Sequence, residues 1–260
     1  MDAKAIISNS IKYPLRNLKR LPLLFILFIL ITIVPIGMLF DNKPLIFLGA
    51  FGFFVFILIV PGYMLSIVKT GSRESSMLPS FNLVNNIYDS IKVLALRMVY
   101  MIVPAAVFLL VFLTLGPTSM DLLHDLQVPT FLAAFGLMLV LIVGTYLLFE
   151  FLLFFAKARL AYFNSLSEAL KINKVIGDIR NIGIFTIIKW LIFMVVLMVV
   201  VSVVSSWVMA IPYVGVLIYV CIVLPTMESI ANYSLGLLYS NIAENSYSLE
   251  KFEREMELLK

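Results

Sequence analysis

LIFLGAFGFFVFILIVPGYMLSIV, residues 45–68, runs without a single charged side chain. A helix crossing about 30 Å of hydrocarbon needs about 20 mostly apolar residues, because lipid offers the backbone no hydrogen bonds and every one must be made within the helix. Comparable runs lie at 21–40, 93–115, 131–156, 182–211 and 213–239, the fifth entering the membrane near Trp190. None alternates as a β-barrel strand does. The expected fold class is therefore all-α: a polytopic membrane helical bundle of six transmembrane helices, with amphipathic helices at the cytoplasmic interface. The first run follows Lys19 and Arg20, as a signal peptide would, but Asp41-Asn42-Lys43 after it is no cleavage site, so it is expected to remain attached.

Composition agrees with lipid as the main solvent. Of 260 residues, 62% are hydrophobic and 13% charged, about half the charge of an ordinary soluble domain. No flexible linker separates the runs, which reads as one membrane domain: a basic segment at 1–20, the bundle at 21–239 and a charged tail at 240–260. One Cys (Cys221) and one His (His124) exclude an intrachain disulfide and a Cys/His zinc site. The net charge of +4 does not point to nucleic acid, since Lys and Arg sit at the ends of apolar runs rather than along one face with aromatics.

Those basic residues set the orientation, because positive loops are retained in the cytoplasm. Lys4, Lys12, Arg16, Lys19 and Arg20 precede the first run. Lys69, Arg73 and Lys92 lie between the second and third, and Lys157, Arg159, Lys171, Lys174 and Arg180 between the fourth and fifth. Lys251, Arg254 and Lys260 are in the tail, against Lys43 alone on the other side. A multi-pass protein of the cell (plasma) membrane with both termini cytoplasmic follows as the expectation.

The same segments carry helical apolar faces. Ile7, Ile11, Leu15 and Leu18 oppose Lys12, Arg16 and Lys19, with Pro14 expected to kink or split the element. Phe81, Val84, Ile87, Tyr88 and Ile91 oppose Asn82, Asn85, Asn86 and Asp89. Ser165 with Glu168 three residues on forms a capping box ahead of Leu166, Ala169 and Leu170. All three are expected to lie along the headgroups, so that the chain reads as three units of interfacial helix plus hairpin.

Around the second of these segments stand Pro61-Gly62-Tyr63, Lys69-Thr70-Gly71, Leu78-Pro79-Ser80-Phe81, Ile91-Lys92, and Tyr100 with Pro104 four residues later. This succession resembles the archaeal membrane family catalogued as domain of unknown function number 4013, best represented in methanogens. That family's pattern has a Gly-Tyr span exit, a Leu-Pro followed by an aromatic, and a Tyr-x-x-Pro-like element in the next helix. Phe81 stands where the pattern has Trp, and Ser90 where it has Gly. Residues 155–180 are similar to its second cytoplasmic segment. The resemblance implies a six-span protein of no established activity, and it supplies no catalytic residues.

Ionisable residues inside spans are costly and mark either function or a paired interior. Arg97, Glu150, Lys189 and Glu228 all fall in the cytoplasmic half of their runs. Antiparallel neighbours place Arg97 level with Glu150, and Lys189 level with Glu228, so two cross-helix ion pairs are geometrically possible. With Asn232 and Thr186 they form the candidate polar cluster; the alternative is that Arg97 and Lys189 snorkel to the headgroups. Pro22, Pro35, Pro61, Pro104 and Pro225 punctuate the spans, Pro225 one turn from Glu228. Gly49 with Gly52, and Ser202 with Ser206, have the spacing of close helix contacts. On the outer side, Asp121, His124 and Asp125 share one turn, more a solvated loop than a cation site. Leu249, Phe252, Met256 and Leu259 give the tail a docking face.

No phosphate-binding glycine loop, metalloprotease helix or redox Cys pair is present. No catalytic residue, cofactor or metal is therefore expected, and the expected partners are the lipid bilayer and other membrane proteins, with no nucleic acid. A non-enzymatic scaffold or membrane-modulating protein is the leading reading. A small transporter or channel using the polar cluster is the alternative.

Overall fold

The computed structural model describes residues 2–124, 128–212 and 214–258, and their side chains except at 117–124, 241 and 243–258. The chain is 89% helical, without a strand among the described residues. Among the described residues, six helical stretches are long and apolar enough to cross a membrane: Leu21–Leu39, Lys43–Ser72, Leu83–Gly116, Val128–Phe163, Ile184–Met209 and Val214–Ser240.

Helix α1 (Ala3–Arg16) is capped by the Asp2 carboxylate and runs unbroken through Pro14, contrary to the expected split. Pro14 lies in the last turn, where its missing N–H removes only one helical bond. Three faces divide the helix. Ala3, Ile6, Ser10, Tyr13 and Asn17 are buried. Leu15 and Leu18 remain more than 60% exposed beside Ile11, a stripe that an interfacial helix presents to lipid. Lys12, Arg16 and Lys19 form the third face. Asn17 latches the loop between the second and third spans: its Oδ1 accepts from Leu78 N–H at 2.8 Å and its Nδ2 donates to the Ser76 carbonyl at 2.8 Å. Arg20 donates to the Leu78 carbonyl. Burial holds the Tyr13 phenol well above its usual pKa, and its ring stacks on Tyr233 at 3.8 Å.

The first span is two helices, α2 (Leu21–Ile29) and α3 (Ile33–Leu39), joined by a 3-10 turn at Leu30–Thr32. Pro35 explains the break: it cannot donate to the carbonyl one turn back, and its ring crowds that carbonyl. Helix α4 (Lys43–Ser72) returns through an Asn42 cap. Glycine brings the two together, since a Cβ on Gly49 would sit 2.6 Å from the Val34 nitrogen. Ser202 and Ser206, by contrast, are exposed, and Ser205 between them is the buried residue.

Helix α5 (Leu83–His124) corrects one expectation. Residues 83–92 are its first turns, not a separate surface helix, and Asn86 and Ser90 are buried rather than hydrated. The reason is Gly62 on α4: its bare Cα admits the α5 backbone, and its N–H donates to Ser90 Oγ at 2.7 Å. Helix α6 (Val128–Phe163) follows, then α7 (Leu166–Ala169) and α8 (Ile172–Ile182). Ser165 caps α7 by accepting from the Glu168 N–H. Gly183, at φ 88°, turns the chain into α9 (Ile184–Met209). Only the first and third hairpins thus have a separate helix ahead of them, and the threefold unit does not extend to the second.

The last span opens with α10 (Val214–Ile218), widens into a π-helical turn at Tyr219–Val223 and continues as α11 (Leu224–Leu258). Pro225 accounts for the wide turn, because its ring needs room at the carbonyl one turn back. Helices α4 and α11 touch backbone to backbone, with a Cβ on Gly236 falling 2.2 Å from the Val68 carbonyl. The buried core lies towards the end of the bundle that carries α1, where Tyr13, Tyr63, Tyr100, Phe155 and Tyr239 are almost wholly enclosed.

Candidate intramembrane polar site

Arg97 projects from α5, Tyr146 and Glu150 from α6. The Arg97 guanidinium meets Glu150 Oε1 at 2.6 Å, and the Tyr146 hydroxyl donates to the same oxygen at 2.9 Å. The antiparallel argument brings these two charges together. The Arg97 side chain remains 56% exposed, so the pair is not enclosed within the bundle.

Glu228 is not paired with Lys189. Along α9, Ile187, Trp190 and Met194 face the core, which leaves Lys189 on the outer side, exposed and in no ion pair among the described residues. Lys157 takes its place. Helix α6 stays helical past residue 156, the expected end of the span, and carries Lys157 against α11. Lys157 Nζ donates to Asn232 Oδ1 at 2.6 Å, while Asn232 Nδ2 donates to Glu228 Oε2 at 3.1 Å and to the Glu228 carbonyl at 2.7 Å. Only one orientation of an amide satisfies an ammonium on one side and a carboxylate on the other. Asn232, 3% exposed, is thus a bridge between two opposite charges. Thr186 is not a partner in these bonds.

The family described as "Protein of unknown function (DUF4013)" matches residues 45–212. The chain belongs to that family. No curated protein and no solved structure matches it. The DUF4013 stretch contains Arg97, Glu150, Lys157 and Lys189 and ends before Glu228 and Asn232, so two of the three residues of the amide bridge lie beyond the family match. It also contains most of a second polar centre.

That second centre is built on Arg159, 6% exposed. Its guanidinium holds Asp178 Oδ2 at 2.7 Å, Glu168 Oε2 at 2.9 Å and the Glu168 carbonyl at 3.0 Å. Tyr239 from α11 donates to the same Asp178 oxygen at 2.6 Å. Lys171 and Arg159 keep the Glu168 carboxyl below the usual carboxylate range. The network ties α6, α7, α8 and α11 together. Sequence reading assigned Arg159 only to topology. The available signal was Asp178, an acid spaced with Val175 and Ile182 on the apolar face of α8, which demands a buried partner.

The Asp121, His124 and Asp125 grouping and the tail face at Leu249, Phe252, Met256 and Leu259 lie outside the residues whose side chains are described. Among the described residues, no group of three or more His, Cys, Asp or Glu is placed to hold a metal.

The amide bridge sets an expected outcome. Asn232→Ala leaves Lys157 and Glu228 without their shared partner and should cost about 1–3 kcal/mol. Thermal unfolding in detergent of Lys189→Met, Glu228→Gln and the double variant should show additive effects. Lys157→Met with Glu228→Gln should not add, because the two share Asn232.

Proposed function

We propose that this protein is a non-enzymatic scaffold or assembly component of an archaeal cell membrane, with both termini cytoplasmic. The observation that supports this most is helix α6. From residue 128 to residue 152 none of its described residues is buried, and a Cβ added at Gly136 or Gly144 would meet nothing within 4 Å. Exposed apolar side chains alone mean lipid. Glycines left open to lipid are different, since small residues let a second helix approach closely, and close packing drives association where the hydrophobic effect does not. Basic loops on one side supply the orientation.

Gly144→Leu should leave the thermal midpoint of the isolated chain within about 2 °C while reducing co-purification of membrane partners from native membranes in mild detergent. Unchanged partner recovery, or recovery of the native chain alone, would overturn the reading. Reporter fusions at residues 1 and 260 should both report the cytoplasmic side.

The alternative, a small transporter, draws on the cavity beside Glu228. A cysteine at Ser202 that reacts with a membrane-impermeant thiol reagent from the cytoplasmic side would favour it.

A further inference from the structure

Between α9 and the last span lies a cavity of about 180 Å³. Met198, Val201 and Ser202 face it from α9; Tyr219 of the π turn, with Met227 and Glu228 of α11, closes the other side. Its wall is apolar except for one carboxylate and two hydroxyls. The π turn itself is part of the wall, and such turns concentrate at functional sites because they displace side chains from regular helical positions.

Glu228 is the unusual element. A carboxylate can accept about four hydrogen bonds. Here one side-chain donor, Asn232 Nδ2, reaches Oε2, and no Lys, Arg or His nitrogen comes within 4.0 Å among the described residues. An ionised carboxylate within a span costs a few kcal/mol unless a cation or water meets it. Glu228 is exposed where it borders the cavity, so that position is open to an incoming cation.

The wall decides which cation fits. A bare divalent ion requires roughly six oxygen ligands, far more than are present. An alkylammonium requires one strong acceptor and an apolar surface for its chain. Tyr219 adds an aromatic ring, which favours cations. The volume is below the roughly 300–1,000 Å³ of sites for drug-sized ligands, and suits a head group with a short stretch of chain. We propose that this cavity binds an amphipathic amine, with its ammonium on Glu228 and its alkyl portion against Met198, Val201 and Met227. The proposal does not involve the outer face of α6, so its failure would leave the scaffold reading untouched.

The test titrates octylammonium, octanol and octanoate at pH 7 onto the full chain in mild detergent, with binding read by native mass spectrometry and by the shift in thermal midpoint. Octylammonium should bind saturably and at least tenfold more tightly than octanol, and octanoate should not bind. Ala231→Phe, which fills the cavity and keeps the carboxylate, and Glu228→Gln should each weaken octylammonium at least tenfold. Equal binding of octanol and octylammonium to the native chain would overturn the proposal without any substitution. So would undiminished binding by a Glu228→Gln variant that keeps the native thermal midpoint. Nanodiscs separate the sources of the amine. Loss of octylammonium binding in phosphatidylethanolamine but not in phosphatidylglycerol assigns the site to a lipid head group, whereas equal binding in both assigns it to a free amine; both results support the ammonium site.

Discussion

Gly62→Val is expected to destabilise the protein by roughly 3 kcal/mol or more, at the upper end of overpacking effects. A Cβ at residue 62 would lie 1.9 Å from the Asn86 carbonyl oxygen and 2.7 Å from the Ser90 nitrogen. Both are backbone atoms of α5, so no rotamer change relieves the clash and the helices must part. Separation would also break the bond from Gly62 N–H to Ser90 Oγ and hydrate the Asn86 face. Gly136→Ala is the matched control. It meets open space, and it should be neutral or gain up to about 1 kcal/mol from helix propensity. Thermal unfolding of the two variants in the same detergent checks the pair; a Gly62→Val protein as stable as the native chain would mean that α4 and α5 do not cross there.

Arg159→Met should be comparably severe, at about 3–5 kcal/mol, because it strands Asp178 as an uncompensated buried charge. The geometry makes a sharper claim than the size of the loss. Arg159→Met combined with Asp178→Leu should be more stable than Arg159→Met alone, since an apolar replacement of both partners removes the stranded charge. Tyr239→Phe should cost about 1 kcal/mol, the usual net contribution of one hydrogen bond. A double variant that loses the full sum of the single effects would show that Arg159 and Asp178 do not act as a pair.

How far these features could be read from the chain depended on whether one helix or several determined them. The spans were legible because lipid imposes length and apolarity on each helix separately, and Arg97 with Glu150 because neighbouring antiparallel helices fix relative depth. Lys157 was missed because the apolar run ends at residue 156 while the helix continues to residue 163, and a lysine past the apolar boundary looks like a topology signal. Asn86 was misplaced for a related reason. Asparagine on the polar side of an amphipathic segment belongs in water unless a glycine on another helix makes room for it, and the hydrophobic period of α5 contains no information about Gly62. The π turn had a local signal in Pro225, but proline alone does not determine whether a helix kinks, widens or continues, as Pro14 and Pro61 show.

The stacking of Tyr13 on Tyr233 joins the first helix of the chain to the last. At about 5–20 residues per second, a ribosome needs roughly 10–40 s to add the residues that separate them. When α1 emerges from the ribosome, the surface that will receive Ile6, Ser10 and Tyr13 does not yet exist. Its stripe of Ile11, Leu15 and Leu18 gives the nascent chain another place to rest, the membrane surface itself. Helix α1 is therefore made well before its partner surface and is locked only once α11 is in place.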